Sequence, residues 1–122
     1  MSLNDCAELR GDLRSLAPLV NLEHLNLSFT RVSGDVAGLA PLVCLQRLSL
    51  IRCTKVSGDV KGLASLLQLQ QLKLGTTPVS GDVLGLAPLV HLQHLHLRKT
   101  QVSGDFDALR SQLPSLTHFF HD

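Results

Sequence analysis

The feature that most restricts the fold of this chain is a repeat of 23 or 24 residues. Gly-Asp recurs at Gly11-Asp12, Gly34-Asp35, Gly58-Asp59, Gly81-Asp82 and Gly104-Asp105, at spacings of 23, 24, 23 and 23 residues. The intervals carry nearly the same text: Gly-Asp-Val (Gly-Asp-Leu in the first), a short Leu-Ala-Pro-Leu stretch (Leu-Ala-Ser-Leu in the third), Leu-x-x-Leu-x-Leu, then Thr and Val-Ser. The copies at 34–50 and 81–97 differ at only four positions: Ala37/Leu84, Cys44/His91, Arg47/His94 and Ser49/His96. The apolar positions form a structural template, and the other positions are free to vary.

Within each unit the end of Leu-x-x-Leu-x-Leu has period two, which is strand-like. In the first full unit this turns Leu25 and Leu27 inward and His24, Asn26 and Ser28 outward. Later strands centre on Leu48/Leu50, Leu72/Leu74 and Leu95/Leu97. About fifteen residues lead back to the next strand, and strands recurring in one direction with such crossovers make a parallel sheet. One unit is too short to bury its own leucines, so the stacked neighbours supply the core. The Asp of each Gly-Asp is suited to cap the turn after it, and the Gly to a tight backbone there.

The whole pattern resembles the leucine-rich-repeat family over essentially the entire chain. Val-Ser-Gly-Asp-Val after the strand is similar to the plant-specific subtype, with Leu-x-Gly-x-Ile-Pro at that place. Cys53 and the extra residue in its unit resemble the cysteine-containing subtype. Where the family carries a ladder of Asn after the strand, this chain has Thr30, Cys53, Thr77 and Thr100. A thinner ladder follows, because Thr donates one hydrogen bond where Asn donates two. The resemblance implies an α/β fold. It would be a right-handed solenoid of about five units, with a five- or six-stranded parallel β-sheet on the concave face and short helical or irregular convex segments.

Residues 1–122 read as a single domain: a partial unit at 1–10, repeats at 11–33, 34–57, 58–80 and 81–103, and a capping unit at 104–122. Leu3 to Asp12 match Leu50 to Asp59 in spacing, with Cys6 in the place of Cys53. The chain thus begins inside a strand, which points either to an excerpt of a longer array or to self-association through that bare edge. His121 falls where Leu97 falls one unit earlier, so the apolar pattern stops there.

Composition narrows the function. Net charge is +1, from 11 basic and 10 acidic residues, and four Phe are the only Phe, Trp or Tyr residues. So few rings argue against single-stranded nucleic acid as a partner. An odd set of cysteines (Cys6, Cys44, Cys53) gives no disulfide framework. With no secretory signal, this favours a reducing compartment, the cytoplasm. No apolar run approaches the ~18 residues of a membrane span. No nucleophile–base pair, phosphate-cradling loop or carboxylate pair stands out, so neither an enzyme nor a cofactor is expected.

The expected site is the outward side of the sheet. It comprises His24, Asn26 and Phe29; Arg47, Ser49 and Arg52; Gln71 and Lys73; His94, His96, Arg98 and Lys99; and His118. Arg47, Arg52, Lys73, Arg98 and Lys99 put five positive charges there, against Glu23 and Asp122, while the Gly-Asp aspartates line another edge. Such a face suits an acidic protein or peptide, since a patch of one sign steers association. The plainer reading is a solvated face that keeps the sheet soluble, in a structural spacer whose neighbouring units carry the contacts.

His94 and His96 lie two apart on one strand, and His118 occupies the column beside His94, so three imidazoles are candidates to converge on zinc. Against this stand the absence of an acidic ligand nearby and the simpler option of an exposed polar cluster. The same cluster would gain charge below about pH 6.5 and strengthen anion binding. Phe29, Ile51 and Phe120 are candidate apolar anchors. Asn26-Leu27-Ser28 is a glycosylation sequon, though such triplets are common by chance.

Overall fold

The computed structural model describes residues 10–122. The strand expected from Leu3, Cys6 within it, and self-association through it fall outside these residues. In chain order the elements are β1 (Arg10–Asp12), β2 (His24–Asn26), β3 (Arg31–Asp35), β4 (Arg47–Ser49), β5 (Lys55–Ser57), β6 (Gln71–Lys73), β7 (Ser80–Asp82), β8 (His94–His96), β9 (Gln101–Ser103), α1 (Phe106–Gln112) and β10 (His118–Phe120). Four single-turn 3-10 helices precede β2, β4, β6 and β8, at Leu13–Leu16, Val36–Leu39, Val60–Leu63 and Val83–Leu86.

The Leu-x-Leu segments form one parallel five-stranded sheet in the order β10-β8-β6-β4-β2. Register follows the repeat: Leu25 pairs with Leu48, Leu48 with Leu72, Leu72 with Leu95 and Leu95 with Phe119. The inward leucines are buried in one continuous core with Val36, Val60 and Val83 from the 3-10 turns. Fully burying one such side chain is worth roughly 1.5–3 kcal/mol. Because these contacts cross repeat boundaries, the units hold one another in place. The fold is therefore the solenoid expected, with short helical segments opposite the sheet.

Sequence reasoning assigned no strand to Val-Ser-Gly-Asp, and the structure makes it extended. β1, β3 and β5 form a second parallel sheet, and β7 and β9 a third. These strands are staggered: Gly11 pairs with Val32 and Gly81 with Val102, not with the next Gly. Only one bridge, Asp59 to Ser80, links the two small sheets. Pro78 stands where Arg31 and Lys55 stand in earlier units, and without an N–H it cannot extend the ladder.

The aspartates do cap. Asp12, Asp35, Asp59 and Asp82 each accept a hydrogen bond from the backbone N–H two residues on, at 2.8–2.9 Å. Asp105 accepts from Ala108 N–H at 2.9 Å, at the start of α1. The stagger gives the preceding Gly a second role. Gly34 has φ +109°, and a methyl added there would stand 2.8 Å from the Asp12 carboxylate. One dipeptide thus serves two repeats: Asp caps its own turn, and Gly makes room for the Asp before it.

The Thr positions behave as the thin ladder anticipated. Thr30, Thr77 and Thr100 hydroxyls donate to the carbonyls of Leu27, Leu74 and Leu97, each within its own turn. Thr30 and Cys53 also join across repeats: the Cys53 Sγ donates to Leu27 O at 3.0 Å and lies 3.7 Å from Thr30 Oγ1. In the last unit His121 replaces the inward Leu by stacking on Phe106, with ring centroids 4.1 Å apart. No helix among the described residues is long and apolar enough to cross a membrane.

Candidate functional site

Two columns of side chains run across the five-stranded sheet on its outward side. One is His24, Arg47, Gln71, His94 and His118; the other is Asn26, Ser49, Lys73, His96 and Phe120. Neighbouring strands lie about 4.8 Å apart, so successive residues of a column are in reach of one another. Short side chains at Asn26 and Ser49, beside the long ones of Arg47 and Lys73, leave an open hollow of about 350 Å³. It is lined by His24, Asn26, Arg47, Ser49, Gln71 and Lys73 over Leu25 and Leu48.

Not every expected site residue lies on a strand. Phe29, Arg52 and Lys99, with Thr76, sit in the turn after it, in left-handed backbone at φ 62°, 60°, 57° and 57°. Their N–H groups continue the ladder: Phe29 donates to Ile51 O, Arg52 to Gly75 O and Thr76 to Arg98 O, each at 2.9 Å. For Lys99 the acceptor is the Asp122 carboxylate, at 2.8 Å. The four residues thus form a rim beside the sheet instead of its surface. Phe29 is 45% exposed, with the Arg52 guanidinium 5.7 Å from its ring centre. Arg98 is exposed next to this rim.

Ser28 was expected outward and is buried. Its Oγ lies 2.6 Å from Ser49 Oγ and accepts the Ile51 N–H. Its own N–H donates to Asn26 Oδ1 at 3.1 Å. The sequon is therefore locked into the fold on both of its polar residues, and Asn26 is held with its amide hydrogens free of that contact.

The histidines pair instead of converging. His94 and His118 stack face to face, with centroids 4.3 Å apart and planes within 3°. Nitrogen lone pairs lie in the ring plane, so two parallel stacked rings cannot both aim one at a common ion. His96 lies over Gly75, whose lack of a side chain leaves room for its ring, and it tilts against Phe120 at 5.7 Å. Its Nδ1 is buried without a hydrogen-bond partner. That favours the tautomer with the proton on Nε2, which spares a buried N–H. No group of three His, Cys, Asp or Glu among the described residues is placed to hold a metal ion.

Electrostatics set the character of the face. Partial burial first, then His118 and Lys73, hold the His94 imidazole below its ordinary pKa. Among the described residues the only ion pair joins Arg14 and Asp12, so the side chains of Arg47, Arg52, Lys73, Arg98 and Lys99 make none, while the Asp122 carboxylate meets the Lys99 backbone N–H. Sequence reasoning passed over one further surface. Val20, Val43, Leu67 and Val90 recur at one repeat position and remain about half exposed, forming an apolar ridge. Their shared spacing of 23 or 24 residues was the available signal.

A parallel solenoid of short leucine-based repeats is the class these observations define. No family model and no curated protein matches the chain. Solved structures do. An internalin C2 from Listeria monocytogenes shares 30% identity and a TM-score of 0.73 over 88% of this chain and 45% of its own. The ectodomain of the receptor kinase SOBIR1 from Arabidopsis thaliana has 22% identity and a TM-score of 0.87, over all of this chain and 67% of its own. The GASSHO1/SCHENGEN3 ectodomain from the same plant, solved in complex with Casparian strip integrity factor 2, has 22% identity and a TM-score of 0.67 over 91% of this chain and 17% of its own. The chain spans less than half the length of the two internalins it matches. Its fold is that of the leucine-rich-repeat proteins.

Proposed function

We propose that this chain is a non-catalytic scaffold that binds an acidic protein or peptide through its concave sheet. Arg47, Lys73, His94, His96, Arg98 and Lys99 are central to the surface, with His24, Asn26, Phe29, Ser49, Arg52, Gln71 and His118 around them. The observation that carries this reading is the set of five cationic side chains on or beside one sheet face that make no ion pair among the described residues. Such charge in a concave setting raises the local concentration of an anionic partner. Support also comes from the fold neighbour seen with a bound factor.

The test is a pull-down from source-cell extract with two baits, the native domain and Arg47→Glu/Lys73→Glu/Arg98→Glu. A partner retained by the native bait and lost by the other is the expected result. Recovery of the same proteins by both baits, or of none by either, removes the main support. The alternative is a spacer within a longer array, favoured by the greater length of the internalins. It expects the two baits to behave alike.

A further inference from the structure

The concave hollow is more specific than the charge around it. We infer that the hollow between β2, β4 and β6 is a subsite for one carboxylate side chain of an acidic partner, held between Arg47 and Lys73. This rests on the acidic-partner reading above and narrows it from a face to a place.

Arg47 lies in one column and Lys73 in the other, on adjacent strands. One strand spacing across and two residues along separates their Cα atoms by about 8 Å. That gap admits a carboxylate with one cation on each side, and the Arg47 guanidinium can meet both oxygens at once. Neither cation is engaged by an acidic residue among the described residues. Between them the surface dips, because Ser49 and Asn26 are short. Ser28 ties down both of these through its hydroxyl and its N–H. The Asn26 Oδ1 is therefore occupied, which leaves its Nδ2 hydrogens as donors beside the hollow. Gln71 adds a further amide to the lining. The wall thus combines two cations that make no ion pair among the described residues with amide donors, and no acidic side chain lines it. At about 350 Å³ the space fits one or two residues of an extended segment.

Arg31 and Lys55, exposed on β3 and β5 of the second sheet, carry equal charge outside the proposed surface and give a matched control. A fluorescein-labelled hexaglutamate peptide would be titrated at low ionic strength, with fluorescence polarisation as readout. The proteins are the native domain, Arg47→Gln/Lys73→Gln, Arg31→Gln/Lys55→Gln, and Ser49→Met, which fills the hollow without changing charge. Circular dichroism melts confirm that each variant is folded. The pocket double variant should lose affinity by about tenfold, the second-sheet double variant by no more than about threefold. Ser49→Met should weaken binding with net charge unaltered. Equal losses in the two double variants, with Ser49→Met unaffected, would overturn the subsite and leave the acidic-partner reading standing. Absence of hexaglutamate binding by the native domain, or no loss in either double variant, would overturn both. Tighter binding of a labelled hexauridylate than of hexaglutamate would replace the protein partner with a nucleic acid.

Discussion

Gly34 and Asp12 show how one residue's conformation can depend on the neighbouring repeat. Gly34 is needed twice over, for its positive φ and for the space taken by the Asp12 carboxylate. Gly34→Ala should destabilise the protein by more than about 1 kcal/mol. Part of that loss should return in the Asp12→Ala background, a coupling that a double-mutant cycle by urea unfolding would measure. Independent, additive effects would mean that the two residues do not meet. Thr77 makes a second residue-scale case. It is buried, and its hydroxyl donates to Leu74 O at 2.6 Å. Thr77→Val keeps the shape and leaves that carbonyl unpaired, which should cost about 1–3 kcal/mol in the same measurement. Cys53 is buried too, and burial pushes its thiol above the usual range. The half-buried Cys44 should therefore alkylate before Cys53 in the native protein, as mass spectrometry of the labelled peptides would show.

Among elements, the turn after each concave strand and the β8–β10 pair respond to different variables. The turn holds Phe29, Arg52, Thr76 and Lys99 in left-handed backbone, the least suitable of them being the β-branched Thr76. Asn tolerates that conformation far better. Thr76→Asn should raise stability by roughly 0.5–1 kcal/mol, read as a higher melting temperature. An unchanged or lowered melting temperature would show that Thr76 contacts outweigh the strain.

The β8–β10 pair responds to pH. Burial, His118 and Lys73 all disfavour the charged form of His94, so its pKa is lower folded than unfolded. The unfolded chain then takes up a proton more readily. Stability from this group is full above the unfolded value, about 6.5. It is lost as pH falls from there through the folded value. His118→Gln removes the stacked imidazole and should flatten the decline of melting temperature between pH 7 and 5. A decline identical to that of the native protein would exclude the stack as its source. The stack, unlike the column containing it, was not legible in the sequence. Repeat spacing places His94 beside His118, but ring orientation depends on rotamers chosen against Lys73 and the sheet.

On the scale of the whole molecule, the core is a single column set shared by all repeats, and its energy depends on having neighbours on both sides. Leu66 is fully buried, whereas Leu19, at the same repeat position, is 39% exposed. Leu66→Ala should cost about 2–5 kcal/mol, as core truncations do. Leu19→Ala should cost clearly less, by chemical denaturation of the two variants side by side. Equal costs would show that the greater exposure of Leu19 does not lessen its share of the core energy. The charge distribution is also a property of the whole: near-neutral in total, it concentrates unpaired cations on one side and capping aspartates on another. The column of aspartates needs no ligand to account for it, since each carboxylate accepts a backbone N–H.

The amino-acid sequence by itself determined the solenoid, the inward leucines, the parallel sheet, the aspartate caps and the Thr positions of the ladder. All of these follow from periodicity, because a repeated spacing forces equivalent residues onto one face and stacks them between neighbours. Only the tertiary structure decided that Val-Ser-Gly-Asp is extended and staggered, that Ser28 turns inward to Ser49, and that Phe29, Arg52 and Lys99 stand on a rim. It also turned three nearby histidines into one stacked pair and one ring seated over Gly75. The physical reason is the same in each case. Spacing tells which residues share a column, whereas register, backbone handedness and the volume left by a neighbour's side chain set what each of them touches.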